Sequence, residues 1–335
     1  MLLRQFTVLV VSIMCSWLAA SDVGPYTETE EQPVNQKPMT REEAAALLGD
    51  RITFKNNGDA ATVGLHGKSA SPDMLRAIEF FPELYGLGVV NANVDVAEAI
   101  HALQQLPNLT YVQFVRCPRI TDDILPVVAA LPNLESGNFT GTGVTDHGMP
   151  ALLESKSLIS VTFSDTTITD AGVRTLANLP TLECLEIRNT AVTDAGLEAL
   201  RGHKRLASLW VRGCKVGDDG MRHIATCPLL QEVLARQTHL TDAGIENVAT
   251  AKNLKLLQAS GTFSRRSIAA LATCGELHSF LLEGKIDLGD EDIETFAPFK
   301  GSRSMGLWGS RITEAGEARL KAMLPKTRVS ITAPE

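Results

Sequence analysis

Aromatic residues are scarce in this chain of 335 residues: they make up 5% of it, with three Trp and three Tyr. A groove that holds a polysaccharide by ring stacking needs several aromatics in a row, whereas Tyr111, Trp210 and Trp308 are few and far apart. Basic runs are missing too. The formal charge is −8, and nucleic-acid binding through counterion release needs clustered Lys and Arg, so nucleic acid is not an expected partner. No His-Glu-x-x-His, nucleophile elbow or Cys-x-x-Cys occurs, and the seven histidines scatter without ligand spacing. Gly67-Lys68-Ser69 matches the end of a phosphate loop, but Thr62 stands where that motif requires its first Gly. These absences point away from an enzyme and call for no cofactor or metal.

Long apolar runs occur once, at the N-terminus. Residues 1–20 carry one charge, Arg4, then an apolar stretch from Phe6 to Ala20 that is short for a membrane span of about 20 residues. It ends in Leu18-Ala19-Ala20-Ser21, a small-residue cleavage site, so 1–20 reads as a secretory signal peptide and the protein as secreted or periplasmic. Lipidation at Cys15 is the rival, disfavoured because Met14 precedes the cysteine where a small residue is wanted. Residues 21–45, rich in Glu, Pro, Gln and Thr, form a linker or disordered arm. With Arg4 removed the charge goes from −8 to −9, and no second span appears, so a soluble monomer is expected.

What the chain does have is a period. Asp122, Asp146, Asp170, Asp194, Asp218 and Asp242 follow one another at intervals of 24 residues, and Asp290 follows after 48. Thr121, Thr145, Thr169, Thr193, Thr241 and Thr313 occupy the column before, and Gly148, Gly172, Gly196, Gly220, Gly244 and Gly316 a column two after. Such a period means a solenoid, in which each unit contacts only its neighbours. Within a unit, Leu185 and Ile187 alternate with polar residues as a short strand does, while Val173, Leu176 and Leu179 recur at helical spacing. Thr-Asp before that stripe is an N-cap signature. A row of carboxylates about 5 Å apart could collect calcium, but each repeat supplies one acid where calcium needs several oxygens, so capping is the preferred account.

The stretch Leu182-x-x-Leu185-x-Ile187-x-x-Thr190-x-Val192 resembles the leucine-rich-repeat pattern, with Thr in the slot usually held by Asn or Cys. Cys227-Pro228-Leu229-Leu230 through Leu240-Thr241-Asp242-Ala243-Gly244-Ile245 is similar to the cysteine-containing subclass, and the "TDAGL" copies to repeats common in secreted bacterial proteins. The resemblance implies an α/β leucine-rich-repeat solenoid, or horseshoe, with a parallel β-sheet on the concave face and short helices on the convex face. It divides the chain into an N-terminal cap and degenerate first repeat at 46–80 and repeats of about 24 residues over 81–335. It also implies a non-catalytic module that binds a protein partner through the concave sheet. Carbohydrate or envelope-polymer binding is the alternative. A substrate-receptor role like that of ubiquitin-ligase repeat proteins ranks lower, since no F-box-like module precedes the repeats.

Five cysteines follow the signal: Cys117, Cys184, Cys214, Cys227 and Cys274. Cys117 and Cys214 share one column four repeats apart, roughly 19 Å, and Cys227 and Cys274 another, roughly 10 Å apart. Bridging needs Cα atoms within about 7 Å, so both pairs are expected open, as core filler. Cys184, on the sheet's outer face, is the one thiol expected to react.

On the concave face, the residues flanking the buried strand positions point outward. The outer column reads Thr140, Ser164, Arg188, Arg212, Arg236, Ser260, Glu283, Trp308; the middle column reads Gln113, Asn138, Thr162, Glu186, Trp210, Leu234, Gln258, Leu281. Three arginines on adjacent strands repel unless anions accompany them. Glu186 and Glu232 could supply these within the chain. The alternative reading makes Arg188, Trp210, Arg212, Leu234, Arg236, Glu186, Glu232 and Trp308 a partner-binding patch, because salt bridging does not explain an outward Trp210, and Trp and Arg dominate interface hot spots.

Overall fold

The computed structural model describes residues 39–55, 58–67 and 70–334. The expected signal peptide, residues 21–38 of the arm, and Lys68 and Ser69 lie outside the described residues. A helix, Arg41–Leu48, occupies the end of the stretch that composition assigns to the arm. Thr40 and Glu43 close a capping box at its start, and Ala44 and Leu48 are fully buried. The folded body therefore begins ahead of residue 46.

Thirteen described strands form one sheet in strict sequence order. They are β1 (Ile52–Phe54), β2 (Ala60–His66), β3 (Gly86–Val90), β4 (Tyr111–Val115), β5 (Ser136–Asn138), β6 (Ser160–Thr162), β7 (Cys184–Glu186), β8 (Ser208–Trp210), β9 (Glu232–Leu240), β10 (Leu256–Ser264), β11 (Ser279–Asp287), β12 (Ser304–Ser310) and β13 (Arg328–Thr332). β1 runs antiparallel to β2 as a cap, and every later pairing is parallel. Each crossover contains a short helix, as parallel strands require. Asp146–Glu154 and Asp290–Phe299 are 3₁₀ rather than α, and each contains a proline, Pro150 and Pro298, that cannot donate to an α-helical ladder.

Between the layers runs one continuous core. Its N-terminal half is spined by Phe114, Phe139 and Phe163, stacked at centroid distances of 6.5 and 5.5 Å. Three residues after Thr162, Glu186, Trp210 and Leu234 the backbone passes through the left-handed region, at Asp165, Asn189, Gly213 and Gln237, with φ between 53° and 71°. The amides of Asp165 and Asn189 donate at 2.8 Å to the carbonyls of Arg188 and Arg212, which fixes the outer column of the next strand. Short polar residues and glycine tolerate this backbone best.

The aspartate column does something other than cap its own helix. Thr169 is the N-cap of Asp170–Leu176: its hydroxyl accepts from the Ala171 amide at 3.2 Å. The Asp170 carboxylate instead reaches forward, accepting from the Thr193 amide at 2.7 Å and the Thr193 hydroxyl at 2.8 Å. The rung recurs from Asp122 to Thr145, Asp146 to Thr169, Asp218 to Thr241 and Asp290 to Thr313. Here lies the reason for the glycine two residues on. A Cβ on Gly172 would stand 2.4 Å from Asp146 Oδ1, and one on Gly196 2.6 Å from Asp170 Oδ1. Where the sequence departs, the rung adapts. Gly217 offers its amide alone to Asp194, at 2.7 Å, while Ser264 and Ser267 both donate to Asp242, at 2.6 and 2.5 Å. At the next step Arg265 occupies the aspartate position, and buried Asp292, in the glycine column, pairs with it at 2.8 Å.

Gly172→Ala is therefore expected to lower the urea midpoint by the equivalent of about 1–3 kcal/mol, while Gly301→Ala, whose Cβ meets nothing within 4 Å, should leave it unchanged. Burial pushes the Asp242 carboxyl up, but hydrogen bonds from Ser264 and Ser267 outweigh it and hold the carboxyl below its ordinary range. A depressed folded-state value means the stabilisation is present above the unfolded value of about 4 and lost as pH falls through the folded one. Urea midpoints measured across acid pH should fall less steeply for Asp242→Asn than for the native chain.

Candidate functional site

The strand register brings the expected columns together. Thr162, Glu186, Trp210, Leu234, Gln258 and Leu281 lie opposite one another on β6 to β11, and Ser260, Glu283 and Trp308 align on β10 to β12. Trp210, Arg212, Leu234 and Arg236 are all half-buried. The Trp210 indole donates to Ser208 Oγ at 2.9 Å, and that hydroxyl donates to Glu232 Oε2 at 3.3 Å, so ring and carboxylate are held by one hydrogen-bond relay.

The two glutamates expected to accompany the arginines behave differently. Glu186 is 4% exposed and cannot be a contact residue of an open patch. It sits between Thr162 and Trp210 in the middle column, accepts from Ser164 at 3.2 Å and pairs with Arg188 at 2.5 Å. Burial pushes its carboxyl up against the opposing pull of Arg188. Glu232 makes no ion pair among the described residues. The second counter-ion is Glu283, whose two oxygens accept from Arg236 at 2.8 and 3.2 Å; that bond chiefly holds the Glu283 carboxyl below its usual range. Arg236 crosses two strands to reach it and lies 5.0 Å from the centre of the Trp308 ring. Period alone shows neighbours one repeat apart, so a bond spanning 47 residues has no local signal.

Arg212 is left between two neutralised arginines. Its Nε donates to Gln237 Oε1 at 3.1 Å, and no carboxylate among the described residues lies within ion-pair distance, although Glu283 feels its charge from further away. Next to this stretch, Glu283, Gly284, Lys285, Asp287, Trp308, Gly309, Arg311 and Thr332 line a groove of about 910 Å³. Among the described residues no group of three or more His, Cys, Asp or Glu could hold a metal, and no helix is long and apolar enough to cross a membrane.

A sequence model of the family described as Leucine Rich repeat matches residues 178–200, one repeat of the array. None of the curated proteins matches the chain. Among solved structures, an internalin from Listeria monocytogenes superposes with a TM-score of 0.57 at 19% identity, covering 89% of this chain and 90% of that one. The match spans nearly the whole of both chains, and it carries the architecture of sheet and crossovers described above. The chain is a leucine-rich-repeat solenoid.

The solenoid leaves its five described cysteines unbridged. Cys117, Cys214 and Cys227 are buried, and the last two donate to carbonyls of the preceding repeat at 3.0 and 3.1 Å. Cys274 is half-buried rather than core, so two cysteines, not Cys184 alone, are incompletely buried. Protein packed around them within the solenoid pushes the Cys184 thiol up to about 12 and that of Cys274 up to about 11. At neutral pH a maleimide should label Cys184 and Cys274 in the native protein, both far more slowly than any cysteine in urea. Mass mapping of labelled peptides over time reads the order.

Proposed function

We infer that this chain is an exported, non-catalytic leucine-rich-repeat module of the "TDAGL" type that recognises a protein partner through its concave sheet. The observation that carries the reading is Trp210. It is incompletely buried in the middle column beside the similarly half-buried Leu234, while its indole N–H is already satisfied by Ser208. An aromatic so placed adds little to the core and offers a rigid apolar surface, as interface anchors do. Arg212 beside it has a guanidinium edge free for a partner's acceptor. Arg188 and Arg236, tied to carboxylates, frame the patch. Export rests on residues 1–20 and their cleavage pattern.

One observation favours the carbohydrate alternative: the groove beside Trp308 sets that ring among the charged residues Glu283, Lys285, Asp287 and Arg311, although most of its lining surface is apolar. It lies at the far end of the array, and a single ring is a small platform for a polymer.

Partners captured from the source's envelope and culture medium by the mature chain should be lost from a variant with Arg188, Trp210, Arg212 and Arg236 all changed to Ala. Mass spectrometry identifies them, and an unchanged circular dichroism spectrum establishes that the variant folds. Equal recovery by both chains would move the site off the concave sheet.

A further inference from the structure

Among the described residues, the concave patch holds two charges without an ion-pair partner, one on each side of its apolar centre. Arg212 has no carboxylate within ion-pair distance among the described residues, and Glu232 has no cation; their neighbours Arg188 and Arg236 are already paired with Glu186 and Glu283. Neither group floats. Gln237 holds Arg212 by its Nε, which leaves the outer edge of the guanidinium open, and Ser208 holds Glu232 by one oxygen. Pre-oriented charges lose less on binding than free ones.

Their spacing identifies what fits. Trp210 and Ser208 are alternate residues of β8, Arg212 is the next alternate position beyond the strand, and the register sets Leu234 opposite Trp210 and Glu232 opposite Ser208. Positive, apolar and negative positions thus follow one another at two-residue steps, each about 6.6 Å. An extended peptide presents its own alternate side chains to one face at the same step. A polyanion would meet Glu232, and a doubly charged phosphate exceeds the single unmatched positive charge.

We propose that the partner offers an extended segment of the pattern acidic–x–apolar–x–basic, laid along β8 and β9, with its carboxylate on Arg212, its apolar side chain on Trp210 and Leu234, and its cation on Glu232. This rests on the concave-sheet reading above and adds the partner's chemistry to it. Chain direction is open, since either polarity of the segment satisfies the three positions.

The test is selection of random displayed peptides on the immobilised full chain and on three variants, Arg212→Glu, Glu232→Arg and Trp210→Ala, each checked for an unchanged circular dichroism spectrum. The native chain should enrich an apolar residue flanked at two-residue spacing by one acidic and one basic residue. Arg212→Glu should shift the enrichment to two basic flanks and Glu232→Arg to two acidic ones, a switch that a merely structural role would not produce. A peptide selected on the native chain should bind Arg212→Gln about tenfold more weakly or worse. Enriched peptides without charged flanks, or with flanks unchanged by the two charge variants, overturn the proposal. If those peptides still lose binding to Trp210→Ala, the concave-sheet reading survives; if they bind it as they bind the native chain, both fall. A selection that enriches nothing overturns the proposal as well.

Discussion

One hydrogen-bonded rung orders most of the array: an aspartate carboxylate at the start of one helix grips the amide, and in most repeats the hydroxyl, that begin the next. A buried or half-buried carboxylate needs donors, and two from the following repeat satisfy it while setting how far that repeat is displaced. The glycine column exists because the carboxylate occupies the space a Cβ would fill. With the spacing of helix starts fixed on one layer, strand register on the other follows, and so does the alignment of every concave column. The departures obey the same requirement. Ser267 replaces the glycine and donates to Asp242, and Asp292 supplies from the glycine column the acid that Arg265 displaced. The charge of that rung is exchanged between repeats while the carboxylate keeps its backbone donor, now Gly289 at 3.0 Å.

Register delivers side chains to the concave face, but curvature and neighbours decide which remain available. Glu186 and Trp210 occupy equivalent places on adjacent strands. The first is sealed between its flanking residues and Arg188, while the second is only half-buried. Of three arginines in one row, the outer two are neutralised, by Glu186 within the same strand region and by Glu283 two strands away. What began as a uniform basic stripe in sequence becomes in space an apolar centre flanked by a cation and an anion that have no ion-pair partner among the described residues.

Much of this was legible beforehand. The 24-residue period, the strand and helix halves of each unit, and the columns containing Trp210 and Trp308 all follow from periodicity, because in a solenoid each residue's neighbours are its equivalents one repeat away. The turn column was legible in principle: Asp165, Asn189 and Gly213 recur at the repeat interval and are the types that accept a left-handed backbone. Two things lay beyond the sequence. The aspartates looked like caps because local spacing shows which helix they precede, not which repeat their oxygens reach. Arg236 could not be matched to Glu283, or Glu186 recognised as buried, because both depend on side-chain reach and sheet curvature across several strands. The sequence by itself determined the repeat, its two layers and the order of its columns, all properties of short-range pattern; tertiary structure alone decided which charges are spent inside the protein and which face outward, since that is settled by distances between strands that no period encodes.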